Sequence, residues 1–222
     1  MGFREPPLAD RGVNSPRQKE HMVSGRQRGF SLIEMAIVLS VASVAAGIMF
    51  INVQTALKAA HVTNAYNTTL ETMRRARDAA VTERRIYVVS FTAPGTIAVT
   101  QNTTSGTSLV TSTLPTDVPF DVETGVPTSP TTPMGTPDGF GSAKNAIDFD
   151  VNVGSGGQTT VYFYPDGSAH DSGGIVTNGV VYLARKGDLM SSRAVTLWGT
   201  TGRLRGWRLY TNSKGVVYWR QQ

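Results

Sequence analysis

The 222-residue chain carries 21 Lys+Arg against 16 Asp+Glu, three His and no Cys, for a formal net charge of +5 and a sequence pI of about 9.7. Apolar residues make up 40% and charged ones 17%, which suits one domain plus an appendage and excludes a disordered charged tail. The absence of cysteine excludes a disulfide scaffold and a thiolate metal site, and His21, His61 and His170 stand too far apart to suggest a His-rich zinc site.

The first strong feature follows a basic flank of Arg26, Gln27 and Arg28. Phe30 to Val53, FSLIEMAIVLSVASVAAGIMFINV, holds 24 residues and one ionisable group, Glu34. As a helix it reaches roughly 36 Å, enough to cross a hydrocarbon layer about 30 Å thick. The positive-inside rule places the basic flank in the cytoplasm and the rest of the chain beyond the membrane. A secretory signal peptide fits less well, because its apolar run is usually about 7–15 residues and ends at a small-residue site. A plain anchor leaves Glu34 unexplained, since a carboxylate in a spanning helix is costly unless it has a partner.

Gly29-Phe30-Ser31-Leu32-Ile33-Glu34, between basic residues and a spanning run, resembles the class III signal of type IV pilins and of the pseudopilins of type II secretion systems. The resemblance implies that a prepilin peptidase cuts between Gly29 and Phe30 and methylates the new N-terminus on Phe30. It also implies that Glu34 pairs with the amino terminus of a neighbouring subunit during assembly, and burial of a carboxylate is tolerable under that condition. Residues 1–29 then form a basic leader, and Met22 is an alternative start that shortens it to MVSGRQRG.

From Val53 the pattern turns amphipathic. Ala59, Val62, Tyr66, Thr69, Met73, Ala76 and Ala80 recur at three- and four-residue steps, which predicts one long helix over 30–85 whose second half lays a stripe on a globular head. His61 reads as an ordinary helix residue. Over 86–222 the period becomes that of strands, with IYVVSF, TIAVTQ, SLVTSTL, VPFDVE, NAIDFDV, TTVYFY, GVVYLAR, RAVTLWG, RLRGWRLY and GVVYW set between Gly, Pro, Asn, Asp and Ser. The expected fold is therefore α+β: a long N-terminal helix on an antiparallel sheet or a two-sheet sandwich. Tyr164 to Ser168 reads as a hairpin turn in which Asp166 is a turn residue, and the Pro- and Gly-rich stretch at about 124–143 as an exposed, flexible loop.

The layout, with FYPDGSA, GVVYLARKGD, RAVTLWG and GRLRGW near the C-terminus, resembles the GspH and FimT group of minor pseudopilins and pilins. Two roles follow from that resemblance. One is a structural subunit near the tip of a secretion pseudopilus. Its partners are the peptidase, other pilins or pseudopilins and an inner-membrane assembly platform, and it starts as a single-pass inner-membrane protein with a periplasmic head. The other is DNA binding through Gly202-Arg203-Leu204-Arg205, a GRxR pattern. Arg203 and Arg205, two apart on a strand, would share a face and reach successive phosphates, with Trp207 stacking on a base and Arg208 adding charge.

No G-x-S-x-G, G-x-x-x-x-G-K-[ST] or H-E-x-x-H occurs. Asp148, Asp150, Asp166, His170 and Asp171 could be drawn together as an acid–base set, but polar residues at turns and strand ends explain them as well. The reading is of a non-enzymatic protein with no cofactor and no metal. Residues 1–29 hold +3 of the +5, so most of the basic excess marks orientation and processing.

Overall fold

The computed structural model describes residues 29–127, 135–141, 144–149 and 157–222, the side chains at 51 and 52 excepted. Among the described residues, helix α1 spans Leu32–Glu83, and ten strands follow: β1 Tyr87–Thr92, β2 Thr96–Gln101, β3 Ser108–Thr113, β4 Ile147–Asp148, β5 Thr160–Phe163, β6 Ala169–His170, β7 Gly179–Arg185, β8 Asp188–Trp198, β9 Arg203–Thr211 and β10 Val217–Gln221. The chain divides into two compact units, Met1–Gly47 and Ile48–Gln222.

In the first unit the apolar side chains of α1 lie open: Leu32 is 88% exposed and Val41 63%. Among the described residues α1 is the one helix long and apolar enough to cross a membrane, with a mean hydropathy of 2.2 in its most apolar window. No Pro falls between Phe30 and Arg85, which lets the helix run this far. It stops where Arg84 turns left-handed (φ 53°) and the Arg85 N–H reaches back to the Ala80 carbonyl at 3.2 Å, a Schellman closure.

The second unit holds two five-stranded antiparallel sheets, ordered β3-β2-β1-β5-β6 and β10-β9-β8-β7-β4. The expected stripe of α1 is the buried one from Val62 to Ala80, with Ala65, Leu70 and Thr72 added, while Ala59 is exposed. It packs in one core with Val89, Phe91, Ile97 and Phe163 of the first sheet and Val181, Leu183, Val195 and Leu197 of the second. The second sheet is covered on its other face too, where Val126 and Phe140 join Val180, Tyr182, Ala194, Leu209 and Trp219. Two buried faces explain why GVVYLAR reads as a continuous apolar run without alternation.

Two expectations change. VPFDVE is not a strand. Pro119 has no N–H for a ladder, and the segment sends Val118 and Phe120 into the first core and Val122 toward the second. Of the described parts of the stretch at 124–143, Thr124 and Gly125 are exposed as expected, but Val126, Thr136 and Phe140 are buried and Asp138 is ion-paired. Residues 128–134 and 142–143 lie outside the described residues.

Candidate functional site

Gly29, Phe30 and Ser31 lead into α1 as exposed residues, with Phe30 77% exposed. The Ser31 carbonyl accepts the Met35 N–H at 3.1 Å, so α1 begins immediately after Ser31 and Glu34 sits in its first turn. Ser31-x-x-Glu34 is the spacing of a capping box, and a carboxylate there is favoured by the helix dipole. Glu34 thus has a local reason to sit at this end of the helix, and it is exposed.

The C-terminal arginines separate into different environments. Arg205 donates from Nη1 to Asp138 Oδ1 at 2.6 Å, with its guanidinium 6.0 Å from the centre of the Trp198 ring. Thr196, fully buried, donates its hydroxyl to Asp138 Oδ2 at 2.5 Å and accepts the Trp207 indole N–H at 2.9 Å. Arg205, Asp138, Thr196 and Trp207 are therefore one hydrogen-bonded network on the second-core face of the sheet. Trp207 packs against that core and is not presented to a base, contrary to the expected shared open face. Arg203 is exposed at the start of β9.

Arg208 belongs to the opposite alternation of β9. It stands directly across from Arg193 on β8 and from Arg220 on β10, a row of three arginines over adjacent strands. Tyr210 and its cross-strand partner Tyr218 lie on the same alternation, and the guanidinium groups of Arg208 and Arg220 sit 5.3 and 5.8 Å from the Tyr210 ring centre. Arg193 is buried, and its Nη1 donates to the carbonyls of Met190, Ser191 and Ser192. Burial, with the nearby Arg208 charge, pushes its pKa down to about 10.

What distinguishes the first turns of α1 and the residues before them is a match to a known motif. Residues 24–50 match the model described as the prokaryotic N-terminal methylation motif. The match supports the pilin and pseudopilin family and covers the Gly29, Phe30 and Glu34 positions. No curated protein and no solved structure matches the chain. With the methylation motif on an open apolar helix, the chain is consistent with a membrane-anchored pilin-like protein.

Beyond the methylation motif, the polar residues drawn together on paper do not assemble. Asp166 Oδ1 accepts both the N–H and the hydroxyl of Ser168, which hold its carboxyl below the usual range, and His170 Nε2 meets the same hydroxyl at 2.7 Å. The serine, not the histidine, is the middle member, and the other ring nitrogen meets the Gly174 carbonyl, so this order does not activate a nucleophile. Asp171 accepts the N–H groups of Gly173 and Ile175 in its own turn. Asp148 is on β4 in the other sheet, and Asp150 lies outside the described residues. His61 is not idle: its Nδ1 lies 2.8 Å from Asp117 Oδ1, and Arg185 donates to Asp117 Oδ2 at 3.1 Å.

Sequence reasoning missed Asp138 and the role of Arg193. Asp138 is legible only as a turn residue in TPDG, and Arg193 as the first residue of an apolar strand; register and packing assign their partners.

Proposed function

We propose that this protein is a minor pseudopilin of a type II secretion system. It is cleaved between Gly29 and Phe30, methylated on Phe30 and assembled near the tip of a periplasmic pseudopilus. The observation that carries the reading is the methylation motif at the start of α1, whose apolar side chains from Leu32 to Phe50 are uncovered among the described residues and whose one carboxylate in that stretch, Glu34, is open. Uncovered apolar surface of that length needs lipid or the equivalent helices of neighbouring subunits. The chain acts as a structural subunit and as the substrate of a peptidase and methyltransferase, not as a catalyst.

The test is co-expression of the full chain with a prepilin peptidase, followed by intact mass and filament incorporation. The expected product begins at a methylated Phe30, and Glu34→Ala is processed normally but enters filaments poorly. Normal incorporation of Glu34→Ala, or no cleavage after Gly29, overturns the reading. DNA binding through the GRxR segment has less support, because Arg205 is committed to Asp138 and Trp207 to Thr196. A salt-sensitive gel shift that disappears in Arg203→Ala would favour that role instead.

A further inference from the structure

β9 runs antiparallel to α1 within the second unit. Arg77 Nε donates to the Gly167 carbonyl beside Gly202, and a methyl group at Gly206 would overlap the Tyr66 hydroxyl. Further on, Arg208 and Arg193 share a groove with Thr55, Lys58, Ala59 and Val62. The two anchor points agree in length, since eleven helix residues and four strand residues both span roughly 15 Å. Continuing from Gly206 to Asn212 adds roughly 20 Å, about thirteen residues back along the helix, which brings the β9–β10 hairpin level with Val53.

At that level three kinds of side chain succeed one another. Ile48, Met49, Phe50 and Val53 are exposed and apolar. Tyr210 and Tyr218 come next, and with them a set of cations: Lys58, Arg208, Arg220 and, on the hairpin tip, Lys214. None of these four cations has a carboxylate within 4.0 Å among the described residues, whereas nearby Arg185 is neutralised by Asp117 and Asp188. The tip is an ordered turn, with Asn212 Oδ1 accepting the N–H groups of Lys214 and Val216. Like charges directly opposite on neighbouring strands cost stability. An anion bound beside Arg208 and Arg220 would offset that cost.

We propose that the end of the head formed by Lys58, Arg208, Lys214 and Arg220, with Tyr210 and Tyr218, binds anionic phospholipid headgroups of the membrane that α1 enters. The proposal rests on the membrane-spanning reading of the first half of α1. Exposed apolar residues followed by tyrosines and cations together match a bilayer interface, where aromatic rings and basic side chains sit at headgroup level beside the hydrocarbon. A nucleic acid would use the same cations but gives no reason for the apolar residues next to them.

The chain has no cysteine, so Ser213→Cys offers a single nitroxide site on the hairpin tip of the full-length protein. The labelled chain is reconstituted in vesicles of phosphatidylcholine alone or with phosphatidylglycerol, and collision with a water-soluble relaxation agent is measured. Phosphatidylglycerol should lower label accessibility by about twofold or more. Arg208→Gln/Arg220→Gln should abolish the difference and Arg208→Lys/Arg220→Lys should retain it. Equal accessibility in both lipids, for a chain that floats with the vesicles, overturns the headgroup contact but leaves the spanning helix standing. A chain that does not float overturns both. A label that responds to an added single-stranded oligonucleotide and not to phosphatidylglycerol assigns the patch to nucleic acid and overturns the proposal.

Discussion

Arg205 and Asp138 are joined at 2.6 Å across 67 residues of sequence, with the Asp138 side chain 4% exposed and that of Arg205 24%. Removing one partner from such a pair leaves a charge with little water around it. Arg205→Ala is therefore expected to lower stability by about 3 kcal/mol, and Arg205→Lys to recover only part, because a lysine lacks the planar fork. Urea unfolding of the full chain in detergent measures both.

Gly206 is required for the approach of α1 to β9. An added Cβ would fall on the Tyr66 hydroxyl and crowd its ring. Gly206→Ala should cost about 1–3 kcal/mol by overpacking. Tyr66→Leu in the same chain should return part of that loss, and the non-additivity in a double-mutant cycle checks the contact.

Asp117 ties α1 to the strand-free segment and to β7 through His61 and Arg185. Partial burial pushes its carboxyl up, but the hydrogen bonds from His61 and Arg185 outweigh it and hold it below the ordinary range. A depressed carboxylate stabilises the fold above its unfolded value, and that contribution is lost as pH falls through the folded one. Since 34% of its side chain is exposed, water screens the effect and the expected loss is modest. Below about pH 5, stability should fall more steeply with falling pH in the parent chain than in Asp117→Asn.

The arginine row gives a stability signature separate from lipid binding. Arg208→Glu replaces two like-charge neighbours, Arg193 and Arg220, with two opposite-charge ones. It should raise stability by about 0.5–1 kcal/mol while removing the response to phosphatidylglycerol. Thermal unfolding and the nitroxide measurement report the two effects independently.

The motif at Gly29 to Glu34, the apolar run and the stripe from Val62 to Ala80 were legible because each is a local pattern: a spacing, a length or a helical period. Most strands were legible as well, through alternation and turn residues. VPFDVE misled because apolar residues at every second position also fit a chain that crosses from one core to another without pairing. Around Phe140 the Pro- and Gly-rich pattern misled, because Pro and Gly mark turns and turns are not always exposed; Phe140 lies 4.9 Å from Trp198, centre to centre.

A long helix with an apolar first half, followed by a β-rich head, follows from residue order alone, since helix length and strand period are properties of consecutive residues. The fate of each C-terminal arginine does not. Arg205 and Arg208 are three residues apart on one strand, yet one is neutralised by Asp138 and the other stands between two arginines with no carboxylate within 4.0 Å among the described residues. Cross-strand register and the chain covering each sheet face set their surroundings, and charges separated widely in sequence meet only when those surfaces close.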